Sequence, residues 1–160
     1  MEERHDMLSH GVYIITAQVG KRLGGLAVAW GMQVAKDAFL ICVGKQSATR
    51  PMILEANAFG LNVLRNDQIA VGNWFGRQSI RNIDKFTGIK YHFAETGSPI
   101  LDDCGASYDC KIKEVFDLGT QKLIVGQVIA IEKHVNNFTP LIYREEDYPS
   151  NKPAHPYITI

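Results

Sequence analysis

Two hydroxyls and two cations fall within the six residues Lys45-Gln46-Ser47-Ala48-Thr49-Arg50, where an alternating apolar run gives way to a helix-like run. Free N–H groups at a helix N-terminus favour an anion, and hydroxyl and cationic donors beside them strengthen that preference. The chemistry suits a phosphate. The same residues also suit a capped helix with two solvated cations, and both readings stand on pattern alone. A second segment, Gly25-Leu26-Ala27-Val28-Ala29-Trp30-Gly31-Met32, alternates small and large residues. In a strand, Gly25, Ala27, Ala29 and Gly31 share one face, and Leu26, Val28, Trp30 and Met32 share the other. The large face can pack into a core. The small face leaves backbone groups open to a flat ligand or to a close packing partner, and the pattern by itself favours packing. A third candidate is Asn62 in Phe59-Gly60-Leu61-Asn62-Val63-Leu64. Strand propensity disfavours Asn, so its amide either meets a ligand or faces an edge.

Other chemistries leave no trace. Gly20, Gly24 and Gly25 do not form a dinucleotide fingerprint, and there is no phosphate-binding Walker loop and no G-x-S-x-G elbow. The five histidines, at positions 5, 10, 92, 134 and 155, have no ligand spacing, so no metal site is expected. Cys42, Cys104 and Cys110 form no C-x-x-C pair and are read as reduced thiols. The catalytic set is therefore empty of protein nucleophiles.

The chain has 160 residues, 46% hydrophobic and 21% charged, which predicts a single domain over 1–160 with one substantial core. Seventeen basic and seventeen acidic residues cancel, so the bulk positive field of a nucleic-acid binder is missing. No apolar run is long enough for a membrane span, and the first seven residues are polar, which predicts a cytoplasmic protein. On that reading the sequon Asn137-Phe138-Thr139 is accidental.

Short alternating runs separated by turns dominate. Strands are predicted over 11–18, 25–32, 38–44, 59–64, near 89–93, and over 106–116 and 122–133. One helix is predicted from Pro51 to about Ala56, capped by Ser47 or Thr49. A second is capped by Asn66 and ends at Gly76. Residues 77–97 are the least legible, and the proline-rich tail from about 149 is predicted to be extended. Strands joined by short turns favour a mainly β, antiparallel Greek-key barrel over a parallel sheet.

Together and in order, these stretches resemble the flavin reductase-like family of FMN-binding split β-barrels, from about Gly11 to Tyr148. The landmarks are Gly11 to Thr16, Gly25 to Trp30 with Gln33-Val34, Lys45 to Arg50, Phe59 to Leu64, Trp74-Phe75-Gly76 and Asp84-Lys85-Phe86. Gly97-Ser98-Pro99-Ile100-Leu101, Cys110, Gly126-Gln127-Val128 and Pro140-Leu141-Ile142-Tyr143 continue the series. The resemblance implies FMN as cofactor, and a homodimer with each flavin near the subunit interface. It implies that Ala27, Val28, Ala29 and Trp30 lie along the flavin ring, with Leu26 and Gln33 as further cofactor-binding residues. Lys45, Ser47, Thr49 and Arg50 then hold the phosphate and ribityl chain, Gln46 is a further cofactor-binding residue, and Asn62 and the region from Phe75 to Lys85 complete the pocket.

The sequence departs from the family at Gly119-Thr120-Gln121-Lys122, where many reductases have Gly-Asp-His-Thr with the His on the nicotinamide side. The expected function is an FMN-binding oxidoreductase using NADH or NADPH to reduce flavin or ferric iron. The alternative is a flavoredoxin-like carrier that exchanges electrons with a redox protein partner.

Overall fold

A computed structural model describes residues 8–158; the polar start of the chain, with His5, and the last two residues lie outside the described residues. The elements run β1 (Tyr13–Val19), β2 (Arg22–Val28), β3 (Gly31–Ala35), β4 (Ala38–Gly44), α1 (Thr49–Ala56), β5 (Ala58–Val63), α2 (Ile69–Gly76), β6 (Tyr91–Phe93), β7 (Pro99–Leu101), β8 (Ala106–Asp117) and β9 (Gln121–Lys133). A short 3-10 turn follows at Glu145–Asp147.

Seven strands form one antiparallel sheet in the order β2-β1-β5-β8-β9-β4-β3, and β6 and β7 form a separate pair. Laid flat, the sheet would hold its two edge strands about 29 Å apart, at about 4.8 Å per strand. Yet β2 and β3 are consecutive in the chain, and the three residue steps from Val28 to Gly31 reach at most about 11 Å. The sheet must therefore curl until its edges meet at that corner. There the Cys42 amide on β4 donates to the Trp30 carbonyl at 2.9 Å. Among the described residues no ladder joins β2 to β4, so the barrel is split along that seam.

Alternation on the strands feeds two cores. Ile15, Ala17, Ile41, Val43, Phe59, Leu61 and Ile124 point into the barrel, where α1 adds Met52 and Ile53. On the outer face, Ile14 and Leu64 pack with Val71 and Phe75 of α2 and with Phe86, Leu101 and Leu141. Each fully buried large apolar side chain stabilises the fold by about 1.5–3 kcal/mol.

Several expectations need correction. The predicted strand over 25–32 breaks at Ala29 and Trp30, because the chain there crosses from one sheet edge to the other. Alternation ends with it: Val28 is buried, but Trp30 and Met32 are 52% and 59% exposed and do not join the core. Ala48, not Ser47 or Thr49, precedes the first turn of α1, and its carbonyl-side geometry is helical. Ser47 Oγ accepts from the Thr49 amide at 3.2 Å. Gln68, not Asn66, precedes α2; Gln68 instead bridges the Arg65 amide and the Asp103 carbonyl. The tail docks on its own chain. His155 Nε2 lies 2.8 Å from the Thr87 carbonyl, its ring meets Trp74 edge-on, and Tyr157 donates to Asp103 at 2.8 Å.

Candidate functional site

The seam between β2 and β4 opens into a cleft with two connected parts that share Leu26, Ala27, Gly44 and Gln46. The part beside α1, about 270 Å³, adds Ser47, Ala48, Thr49 and, from the loop after α2, Ser79. The part beside β4, about 280 Å³, adds Val28, Ala29, Trp30, Cys42, Gln121 and Tyr143. The β4-to-α1 link thus brings its hydroxyls to one end of a slot whose other end is lined by the small residues of β2.

Gly76 and Ala27 are neighbours in the wall of the cleft. A Cβ built on Gly76 would lie 3.3 Å from the Ala27 Cβ, so a larger side chain at 76 crowds that wall. At Gly25 the outcome is different. A Cβ there would meet Phe75 at 2.8 Å, so this part of the small face is a packing surface for α2. The small stripe thus divides: Gly25 packs, while Ala27 and Ala29 line the cleft.

The polar residues also divide. Lys45 is exposed and hydrogen-bonds through its amide to the Thr120 carbonyl. Arg50 donates to the Val43 carbonyl at 3.4 Å. Both cations flank the cleft without lining it. Gln46 lines both parts, and its carbonyl accepts from Arg81 at 3.2 Å. Gln33 is exposed, donates to the Lys36 carbonyl at 3.2 Å and lines neither part. Phe75 and Lys85 form the floor beside α1. The Lys85 ammonium is buried on the Gly25 and Phe75 carbonyls, at 2.8 and 2.7 Å. Desolvation lowers its pKa to about 8.

Asn62 is not brought to the cleft. It is fully buried: its amide donates to the Ile14 carbonyl at 2.9 Å, and its oxygen accepts from the Leu101 amide and Ser107 Oγ. A buried amide with this many partners is a cross-brace between β1, β5, β7 and β8. Within the Phe75 to Lys85 region that the resemblance assigns to the pocket, Gly76 and Ser79 line the cleft and Arg81 reaches Gln46 beside it; Tyr143 is a lining residue to which sequence reasoning gave no role. Ser79 and Arg81 repeat the hydroxyl-plus-cation pairing seen at 45–50, a signal available in the sequence inside an otherwise illegible stretch.

Cys42 lines the cleft; burial raises its thiol pKa, and its Sγ donates to Gln121 Oε1 at 3.6 Å. Among the described residues no group of His, Cys, Asp or Glu could hold a metal ion, and no helix is long and apolar enough to cross a membrane.

Residues 4–152 match the flavin reductase like domain. This chain belongs to that family. It is 33% identical over 125 residues to the high molecular weight rubredoxin of Moorella thermoacetica, covering 76% of this chain and 55% of that one. It is 28% identical over 152 residues to an FMN reductase (NADH) of Pseudomonas syringae pv. syringae, covering 92% and 84%. Some curated relatives are far longer: the chain spans 55% of that rubredoxin and 23% of the diflavin flavoprotein A 1 of Synechocystis. An FMN-binding protein of Thermus thermophilus shares the fold at TM-score 0.85 and 21% identity, covering 100% of this chain and 95% of that one. The seven-stranded antiparallel sheet and its split are therefore the family's barrel.

Proposed function

We propose that the cleft binds FMN and that the protein is an FMN-dependent oxidoreductase, reduced by NADH or NADPH and passing electrons to flavin or ferric iron. One observation carries this reading: Ser47, Thr49 and Ser79 line the same cleft as Leu26, Ala27 and Gly76. The donor set fits the cofactor. FMN has a flat ring and a phosphate, and the cleft offers the small residues Ala27 and Ala29 at one end and the Ser47, Thr49 and Ser79 hydroxyls at the other. The match to an FMN reductase (NADH) across 92% of the chain supports the same class.

In this reading Ser47, Thr49 and Ser79 hold the phosphate end, with Lys45, Arg50 and Arg81 adding positive field around it. The backbone of Leu26 to Trp30 faces the polar edge of the ring, and Gln46 lies between the two ends. Lys85 fixes the spacing of β2 and α2 from beneath. Bound FMN supplies the hydride and electron chemistry. Gly76 and Ala27 pack against each other in one wall of the cleft, which stays low beside the ring. The exposed edge strand β3, with Met32 at 59% and Val34 at 47% exposure beside Trp30, supports a second copy covering the mouth of the cleft, as expected of a homodimer.

A specific observation favours the second reading, an electron carrier working with a redox protein. Gln121 stands where the resemblance has His, and it lines the β4 end of the cleft with its side-chain oxygen engaged by Cys42. The rubredoxin relative is consistent with it. Anaerobic addition of NADH or NADPH to FMN-loaded protein separates the two. Rapid bleaching of the flavin bands supports the reductase, slow bleaching supports the carrier, and failure to take up FMN overturns both.

A further inference from the structure

The tail reaches α2 and the loop between α2 and β6, and His155 is its anchor. Both ring nitrogens are engaged. Nε2 lies 2.8 Å from the Thr87 carbonyl oxygen. Nδ1 accepts from two backbone amides, Tyr157 at 3.1 Å and Ile158 at 3.0 Å. The ring packs edge-on against Trp74 of α2, with centroids 4.6 Å apart. Gly88 makes this approach possible: a Cβ there would lie 3.0 Å from His155 Nε2 and 2.7 Å from Ile158 Cδ1.

These partners admit one form of the ring. A backbone N–H only donates and a carbonyl only accepts, so Nδ1 is bare and Nε2 carries the proton. An imidazolium carries a proton on both nitrogens. Its Thr87 bond would survive, but Nδ1–H would face two amide donors, and both bonds that turn the tail back on itself would be lost. The charged groups on the surrounding elements are Arg77, Asp84, Lys85, Lys90, Asp103 and Lys152. Arg77 is engaged by the Tyr148 carbonyl, Asp84 by the Phe86 amide, Lys85 by two carbonyls, and Asp103 by Arg65 and Tyr157. Among the described residues, none of the six pairs with the His155 ring to offset the loss.

The anchor bears on the cleft. Trp74 Nε1 donates to the Lys85 carbonyl at 2.8 Å, and Lys85 and Phe75 form the floor beside α1. We infer that His155 is a positioning residue: a latch that closes only with a neutral ring, holds Trp74 and the Lys85 loop in place beneath the flavin, and opens in acid. Taking up a proton at Nδ1 breaks the Tyr157 and Ile158 amide bonds, the tail leaves Trp74 and Gly88, and the cleft floor loses its outer support. The effect on flavin rests on the cofactor reading of the cleft; the latch itself does not.

The test follows two readouts from about pH 7.5 to about pH 5.5, across the ordinary histidine range. In flavin-free protein, NMR reads the His155 ring nitrogens and the Tyr157 and Ile158 amides. In FMN-loaded protein, recovery of flavin fluorescence on dilution reads the FMN dissociation rate. Wild type should show the Nε2–H tautomer at the upper pH, and the two amide signals should move to unfolded positions in acid. His155→Asn supplies an oxygen that accepts from the same amides and takes up no proton, so its amide signals should stay in place. On acidification the dissociation rate should rise about three- to tenfold more in wild type than in His155→Asn; this ratio removes the titration of the FMN phosphate itself. His155→Phe keeps a ring against Trp74 without either nitrogen and should release FMN fast at both ends of the range. A wild-type ring protonated at Nδ1 at the upper pH, or amide signals that do not move in acid, overturns the latch. Dissociation rates that rise equally in wild type and His155→Asn overturn the positioning role. Failure of wild type to load FMN overturns the cofactor reading instead, and the flavin-free readout still tests the latch.

Discussion

Lys85 Nζ lies 2.8 Å from the Gly25 carbonyl oxygen, tying the loop after α2 to the strand that lines the cleft. Its second bond, 2.7 Å to the Phe75 carbonyl, makes one buried cation the brace for β2 and the end of α2 together. Lys85→Met leaves both carbonyls without this donor and should cost about 1–3 kcal/mol at pH 7 in urea denaturation. The pH dependence has a definite sign. The folded pKa of about 8 lies below the ordinary 10.5, so between these values the unfolded chain binds more protons and wild-type stability gains from rising pH. The gap between wild type and Lys85→Met should therefore widen from pH 8 to pH 10.

Asn62→Leu should destabilise the protein by about 2–4 kcal/mol, because it strands the Leu101 amide and Ser107 hydroxyl in the core. FMN affinity of the protein that remains folded should be unchanged, as read by flavin fluorescence titration. A selective loss of FMN affinity would return Asn62 to the cofactor site.

Asn62 also marks the limit of what the sequence disclosed. Its type flagged an unusual strand residue correctly, but whether the side chain faced cleft or core depends on how β1, β7 and β8 close around it. The short turns and period-2 runs made the antiparallel strands legible, and β4 is found over the predicted residues 38–44. The break at Ala29–Trp30 was not legible, because closing the barrel interrupts a run whose alternation continues unbroken in the sequence. The hydroxyl cluster at 47–49 was legible by type and spacing. Which residues of the 75–85 region line the cleft was not, because the loop after α2 that carries Ser79 has no periodicity.

The cysteines should differ in reactivity. Burial pushes the Cys104 and Cys110 thiols to about 11 and about 12, while Cys42 is half-buried at the cleft. Native protein should react with a thiol reagent at Cys42 alone, urea-unfolded protein at all three, and FMN should slow the native reaction.

His92 is held between Glu132 at 2.8 Å and Asp102, and these hydrogen bonds raise its pKa above the ordinary 6.5. A raised folded pKa means stability that is fully present below pH 6.5 and lost as pH rises through the folded value. Glu132→Gln should lower the His92 pKa measured by NMR titration and flatten the fall in stability between pH 6 and pH 8.

The central claim is that the cleft lined by Ala27 and Gly76 holds FMN, and equilibrium titration of Gly76→Val with FMN tests it most directly. Residue 76 is exposed at the end of α2 and lines the cleft beside Ala27, so valine there adds its branches to the cleft wall. The account predicts an FMN affinity at least about tenfold weaker than wild type, about 1.4 kcal/mol, with an unchanged thermal midpoint in the absence of flavin. Wild-type FMN affinity in a folded Gly76→Val protein would contradict it.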